Sequence, residues 1–459
     1  MTGPPRTDIA RTDPGHGVPF GEAARFWIRL GFINFGGPTG QIALMHEELV
    51  DRRRWIGNAR FLHALNYCML LPGPEAQQLA IYIGWLLHRI KGGLVAGLGF
   101  IMPAFFLIMG LSWTYAVHGD VEVVAGIFGG LQAAVVGIVA AAVIRIGRRA
   151  LRGAELAAIA VAAFLAIFVA HVPFPLIVLG AGLIGFAGGR LRPDRFSLPE
   201  EHAGEAGTAI RDDVPAADHT RTTHGRSVRV LLIGLAVWIV PLVLVSFAPG
   251  MPRVIGEEAR FFSQAAMVTF GGAYAVLAYI NQAAVQTYGW LLPGQMVTGL
   301  GLAESTPGPL IMVTEFVGFI GAYRNPGGLD PVVAGMIGAT VTTWATFAPC
   351  FLWIFLGAPY IERLRGNRAL TTTLSAITAA VVGVVLNLAI TFGIVTLFDR
   401  VRSVEFLGGP IPVPALGSLD PVAAAIAVGS FLALWRFRVG ILWVIGASAL
   451  VGVVRVLVA

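Results

Sequence analysis

Leu71-Pro72-Gly73-Pro74-Glu75-Ala76-Gln77-Gln78 sits inside a long apolar segment and decides how the chain is read. The segment has the length and composition of a membrane helix. Two prolines and a glycine break it, and a carboxyl follows at once. Proline removes an intrahelical hydrogen bond. A charged side chain at the centre of a membrane helix costs on the order of 3 kcal/mol even on a lenient insertion scale. A shorter form of the stretch returns as Thr306-Pro307-Gly308-Pro309.

The surroundings are those of a polytopic helical membrane protein. Of 459 residues, 56% are hydrophobic and 13% charged, where a soluble domain carries about 25% charge. Apolar runs of about 20 residues recur along nearly the whole chain, and the 58 glycines suit closely packed membrane helices. The net charge of +6 is almost all arginine, Lys91 being the single lysine. It reads as arginine in cytoplasmic loops and not as a nucleic-acid surface. The polar N-terminal stretch before Gly21 lacks the apolar core of a cleaved signal peptide, so the first apolar segment is expected to stay in the mature protein. Cys68 and Cys350 lie in apolar surroundings and read as buried small residues, neither a disulfide nor a metal pair.

Six apolar segments, one connecting helix and six more follow a polar tail. The expected boundaries are 1–22 for a cytoplasmic tail, 23–189 for a first transmembrane repeat and 190–227 for a polar cytoplasmic linker. A connecting helix at 228–248 and a second repeat at 249–459 complete the chain. Phe35-Gly36-Gly37 answers to Phe270-Gly271-Gly272, Trp55 to Trp290, and Pro72-Gly73-Pro74 to Pro307-Gly308-Pro309. Arg25-Phe26 answers to Arg260-Phe261 and Gly92-Gly93 to Gly327-Gly328, all at the one offset that carries Phe35 to Phe270. Five matches at one offset mark an internal duplication.

A single helix between two six-segment halves places them in opposite orientations. Arginine bias agrees. Arg52-Arg53-Arg54, Arg89 with Lys91, Arg145 to Arg152 and Arg190 to Arg195 read as cytoplasmic, whereas the counterpart of the triple arginine, Gln286 to Gly289, is uncharged. Arg363, Arg365 and Arg368 read as cytoplasmic in the second half, as do Arg436 and Arg438. The expected fold is all-α and polytopic: two inverted-topology repeats with broken or re-entrant helices at the FGG and PGP motifs, N-terminus inside and C-terminus outside. Segments 23–45 and 60–88 either cross the bilayer or re-enter it, with Pro-Gly-Pro at the tip in the second case. Both arrangements keep the inversion.

These motifs resemble the chromate ion transporter (CHR) family. The first half carries Phe35-Gly36-Gly37-Pro38, Trp55 and Leu71-Pro72-Gly73-Pro74 with Ala76 and Gln77. The second carries Phe270 to Tyr274, Thr306 to Pro309 and Trp344 to Cys350, as in the second repeat of long-chain members. The resemblance implies a plasma-membrane carrier that exports chromate, with sulfate as a competing analogue, driven by the membrane potential or a proton gradient. It implies no enzymatic activity and no cofactor. Another oxyanion carrier, working in uptake or exchange, and an anion channel are the rival readings. A homodimer is left open.

A carrier of a tetrahedral dianion needs donors without binding too tightly. Free N–H groups and the dipole at helix N-termini supply them. The candidate substrate-binding residues are therefore Gly36, Gly37, Pro72, Gly73, Pro74 and Gln77, with Gly271, Gly272, Pro307, Gly308 and Pro309. Arg25 and Arg260 correspond across the repeat and join the set as oxyanion partners, against the snorkelling role usual near segment ends. Glu75, Glu304 and Glu315 are candidates for a coupling proton. Asn34, Asn66, Thr306 and Asn387 read as helix–helix contacts. His202, His219 and His224 read as solvated linker residues, so no metal site is expected. No Gly-x-x-x-x-Gly-Lys-Ser/Thr occurs, which excludes ATP drive within this chain, and no His-Glu-x-x-His pattern supports an intramembrane enzyme.

Overall fold

The computed structural model describes residues 17–35, 37–191, 224–270, 273–358, 368–406 and 409–458. Among the described residues seven helices are long and apolar enough to cross a membrane, and two shorter apolar helices accompany them. The chain is an all-α multi-pass membrane protein.

Helix α1 (Phe20–Ile33) ends where Asn34 leaves helical ψ, and α2 (Gly37–His46) runs on into a π-helical turn, Glu47–Arg52. By then the chain is back at its start. Arg53 lies 4.9 Å over the Phe26 ring and 3.5 Å from Glu22, and Trp55 meets Phe26 edge-on at 5.2 Å. Helix α3 (Asn58–Cys68) goes in again, Pro-Gly-Pro stops it, and α4 (Glu75–His118) begins.

Helix α4 is two arms and not one rod. His88 and Arg89 leave the helical region, and Gly84 lies against Gly92 and Ala96. Residues 75–87 therefore fold back antiparallel along residues 90–118. The reversal sits beside the start of α1, with His88 Nε2 3.0 Å from the Val18 carbonyl oxygen. At 1.5 Å per residue the arms measure about 20 Å and about 43 Å. The short arm, and the Pro-Gly-Pro ahead of it, reach about halfway along the long one.

The second half repeats this path. Helix α5 (Glu122–Ala150), α6 (Ala154–Phe168), α7 (Phe174–Leu191) and α8 (His224–Ser246) come between. Helix α9 (Arg253–Met267) goes in, and α10 (Ala273–Asn281) with a π-helical turn at Gln282–Thr287 returns. The two π-helical turns keep the motif offset at both ends, Glu47 matching Gln282 and Arg52 matching Thr287, as do the left-handed residues Arg54 and Gly289 that follow them. Trp290 meets Phe261 edge-on at 5.6 Å, matching Trp55 on Phe26. Tyr288, where the first half has Arg53, stacks on Trp290 at 4.4 Å, so an aromatic ring replaces a guanidinium over the same tryptophan.

Helix α11 (Gln295–Ser305), a 3₁₀ turn at Leu310–Met312, α12 (Val313–Arg324) and α13 (Pro331–Gly357) complete the second pair of hairpins. Gly318 faces Gly338 and Thr342 as Gly84 faces Gly92 and Ala96. Gly92 is thus the counterpart of Gly338. Gly327, its partner in the sequence comparison, sits instead in the turn before α13, at φ +60°.

Helices α14 (Arg368–Leu397), α15 (Pro421–Trp435) and α16 (Ile441–Val458) mirror α5, α6 and α7, with a β-hairpin of β1 (Val401–Phe406) and β2 (Gly409–Pro414) inserted ahead of α15. The strands are antiparallel, Val401 opposite Pro414. The halves are interlocked. Gly137 of α5 packs on Ala427 and Phe431 of α15, and Gly383 of α14 packs on Ala160 and Phe164 of α6. Gly126 and Gly130 of α5 bring its backbone against Ser448 and Gly452 of α16, the close approach small residues permit in membrane helices.

The long arms of the two halves also meet. Gly93 and Gly97 of α4 face the rings of Phe355 and Phe351 of α13, so the two helices run antiparallel. Gly308 packs on Ala104, the central residue of the 90–118 arm. Phe316, further along α12, meets Tyr115, nearer the far end of that arm, at 5.5 Å.

Candidate functional site: four helix N-termini at the hairpin tips

The tips of the two halves hold each other through the main chain. The Gly73 N–H donates to the Thr269 carbonyl at 2.9 Å, and the Gly308 N–H donates to the Asn34 carbonyl at 3.2 Å. Thr269 is the repeat counterpart of Asn34, as Gly308 is of Gly73. One bond is made twice, each half lending a donor and an acceptor. The two glycines have φ of +123° and +124°, which side chains rarely adopt. A Cβ on Gly73 would also lie 2.8 Å from both Cys350 Sγ and Gln78 Nε2, and one on Gly308 would strike the Ala104 methyl.

Beside these bonds lies a small void. It is lined by Pro38 and Gln41 of α2, Pro74 to Ala76 at the start of α4, Ala273 at the start of α10, and Pro309 to Ile311 ahead of α12. All four returning helices therefore begin here, and their N-terminal N–H groups and dipoles favour an anion. The void is about 10 Å³, room for about one water. An oxyanion enters only if the tips part.

Gln41 clasps the closed tips. Its amide nitrogen donates to the Asn34 carbonyl at 3.1 Å and to the Gly308 carbonyl. Gln78 Nε2 donates to the Pro72 carbonyl at 2.8 Å. Other amide atoms are buried without a partner among the described residues: both of Asn34, both of Gln77, and the oxygens of Gln41 and Gln78. Buried polar atoms are nearly always satisfied in folded proteins, so this group is exceptional.

The expected site residues divide. Pro72, Gly73, Pro74, Pro307, Gly308 and Pro309 come together at the tips, and Gly37 opens α2 there at φ +66°. Gly36, Gly271 and Gly272 lie outside the described residues. Gln77 is buried in the first turn of α4, and Glu75 lines the void. Arg25 and Arg260 are exposed on α1 and α9 and do not join the tips. Glu304 is buried and accepts from the Tyr274 hydroxyl, and Glu315 is fully buried with neither oxygen partnered among the described residues.

Three residues went unassigned on sequence alone: Asn34, read as a helix contact, and Gln41 and Glu258, not singled out. Glu258 is fully buried in α9, also without a described partner. The duplication carries the signal for Gln41 and Glu258, because their counterparts are the apolar Val276 and Ala23, whereas Asn34 answers to Thr269, which is polar as well. Polar groups confined to one copy are not required by the fold. Among the described residues no group of three metal-ligating side chains occurs.

The profile of the chromate transporter family matches residues 21–186 and again 257–453, one stretch in each half. The chain belongs to the chromate transporter family. The transporter is similar to the chromate transport protein of Pseudomonas aeruginosa, with 32% identity over 430 residues, covering 94% of this chain and 90% of that one. It is 27% identical to the chromate transport protein of Cupriavidus metallidurans, over 87% of this chain and 88% of that one. A probable chromate transport protein of Synechococcus elongatus is 26% identical over 88% and 95% of the two chains. No solved structure matches the transporter.

Proposed function

We propose that the protein is a secondary transporter that exports chromate, bound at the hairpin tips, by alternating access. The observation that carries this reading is the meeting of four helix N-termini at one closed void, held by reciprocal Gly73–Thr269 and Gly308–Asn34 bonds. The family and the names of its relatives supply the choice of chromate. Sulfate has the same shape and charge and competes. A site of backbone N–H groups and the Gln41 amide, with the Glu75 carboxyl protonated at its edge, binds a dianion without an ion pair that would hold it fast, as a carrier requires.

In this reading the halves are inverted repeats. The direction of the helices supports it: α12 leaves the tip at Ala104 and passes Tyr115, heading away from the 88–89 reversal where the first pair of hairpins has its base. The hairpins are re-entrant, and the crossing helices among the described residues are the long arm of α4, α5 to α8, and α13 to α16. The positive-inside rule then sets Arg52 to Arg54 and the N-terminus in the cytoplasm and the C-terminus outside. The domain limits follow the helices, with repeats at about 20–191 and 253–458 around α8.

A cytoplasm-open state takes chromate between parted tips, closure brings it to the tip site, and parting on the other side releases it. Exporting two negative charges gains roughly 2.3 kcal/mol per charge per 100 mV of inside-negative potential. Glu75, Glu304 and Glu315 are the groups next to this path that can carry a coupling proton.

The test is chromate accumulation in inside-out vesicles with potential and pH gradient imposed separately and sulfate as competitor. Saturable accumulation under at least one gradient is expected. Absence of accumulation under both removes the export reading, and flux that never saturates points to a channel.

A further inference from the structure

We propose that Glu258 is a proton-binding site that loads the transporter from the face of the second half. The proposal rests on the transport reading above and names where its proton enters. The Glu258 carboxyl is fully buried, with neither oxygen hydrogen-bonded among the described residues. It is seated between two glycines of the neighbouring helices. A Cβ on Gly321 of α12 would lie 2.5 Å from one oxygen, and a Cβ on Gly338 of α13 2.9 Å from the other. The space exists because neither position has a side chain.

The first half serves as an internal control. The counterpart of Glu258 is Ala23, which is also buried, so the hairpin folds with a methyl group there. The carboxyl is therefore an addition to the second copy and not a structural requirement. An ionised carboxyl at this place is an unpaired charge in an apolar interior, which the surroundings accept only with a counter-ion or a proton. The nearby titratable groups supply no counter-ion. On α9 itself Glu257 is paired with Arg253 at 2.9 Å, and Arg260 is exposed on the surface of the helix. Glu315 and Tyr323 of α12 are not cations, and Asp330 caps α13. Arg324, at the end of α12, donates to the Trp290 carbonyl at 2.9 Å. Tyr279 and Tyr288 pack on Phe261, on the α10 side of α9. On α8, Arg226 and Arg229 lie near the end away from α9, about 25 Å along that helix. A proton is what remains.

The carboxyl is placed to exchange that proton with water and to pass it inward. Gly321 is three residues from exposed Arg324, about 5 Å along α12. Inward, the α12–α13 seam is polar: Thr342 faces Gly318, and the Thr346 hydroxyl lies 3.5 Å from that of Thr314. Glu315 lies six residues further in than Gly321, about 9 Å, close to the Leu310–Met312 turn that borders the void. In the step proposed, a hydronium at the outer face gives its proton to a Glu258 oxygen and leaves as water. Glu315 is the next acceptor, and no electrons move.

The test uses the purified full-length protein in liposomes, with chromate as the probe and a pH gradient imposed at zero potential. In Glu258→Gln, accumulation driven by the pH gradient falls at least tenfold. The protonated-carboxyl band in the infrared spectrum also loses intensity relative to wild type in the same lipid. An unchanged band or unchanged pH-driven accumulation overturns the proposal. Should Glu258→Gln fail to fold, Glu258→Ala reproduces the first half's own residue and is judged by the same two readings. Wild-type protein that accumulates chromate under a potential alone, and never under a pH gradient, overturns the Glu258 proposal and leaves transport standing. Wild-type protein that accumulates under neither overturns the transport reading as well.

Discussion

The Gly73 amide donates to the Thr269 carbonyl, 2.9 Å away in the other half of the molecule. Its counterpart joins Gly308 to Asn34, so the closed tip is built twice from the same parts. Both glycines lie at φ values that strain any side chain, of order 1–3 kcal/mol each. Gly73→Ala and Gly308→Ala are each expected to lower the thermal stability of the purified protein and to cut chromate flux at least tenfold. The steric part of the Gly308 defect is contact with the Ala104 methyl. Adding Ala104→Gly is therefore expected to restore part of the stability of Gly308→Ala and none of that of Gly73→Ala. Equal rescue of both by Ala104→Gly, or none of either, would count against this packing.

Arg52 and Thr287 close the two π-helical turns at equivalent places in the repeats, and both are exposed. In inverted repeats they face opposite compartments. A membrane-impermeant maleimide is expected to label Arg52→Cys from the cytoplasmic side and Thr287→Cys from outside. Cys68 and Cys350 are buried and give low background. Labelling of both from one side would make the repeats parallel.

Much of this fold is written in the sequence because duplication is visible without structure. Trp55 and Trp290 keep the common offset, and each folds back onto its own phenylalanine, Phe26 or Phe261. What hid was the direction of the chain between motifs. The end of the 60–88 segment and the charges of Arg89 and Lys91 mark a break there, but not that the chain turns back on itself: the reversal at His88-Arg89 uses no proline or glycine, only an arginine at φ +55°. The β-hairpin at 401–414 was hidden too, being an insertion that changes the spacing between counterpart helices. At the site the glycines and prolines were legible because they break a pattern. Gln41 was not, because a single glutamine in an apolar helix resembles any polar helix contact until the tip it clasps is seen.

The halves share a backbone at the tips but not side chains. Asn34, Gln41 and Gln77 answer to Thr269, Val276 and Met312, while the buried acids Glu258 and Glu304 answer to Ala23 and Met69. The first half supplies neutral amides and the second carboxyls, Glu75 excepted. Gln77→Leu is expected to weaken chromate binding about tenfold, the loss of one hydrogen bond to a charged group at about 1.5 kcal/mol. Gln41→Leu frees two carbonyls that the closed tips rely on, and is expected to lower the maximal rate more than the apparent affinity. Met312→Leu, at the counterpart of Gln77, is expected to change affinity less than twofold. Binding measured by isothermal calorimetry and flux in vesicles separate the three.

Asp420 caps the N-terminus of α15, accepting from the Val422 and Ala423 N–H groups at 3.0 and 3.1 Å, and pairs with Arg455 of α16. Burial pushes its carboxyl up, but Arg455 and the two N–H groups outweigh that and hold it below its ordinary value. A depressed carboxyl stabilises the fold above the unfolded-state value, about 3.9, and loses that contribution as pH falls through the folded one. Asp420→Ala removes cap and pair together, and is expected to cost about 1 kcal/mol for the cap with up to about 1 more for the half-exposed pair. Asp420→Asn keeps an acceptor for the cap and is expected to lose only the smaller share. The gap between wild type and Asp420→Asn should be constant from pH 7 to about pH 5 and close below about pH 4. Thermal unfolding in detergent across that range measures it. A gap that widens with acid would mean that Arg455 does not stabilise the ionised carboxyl.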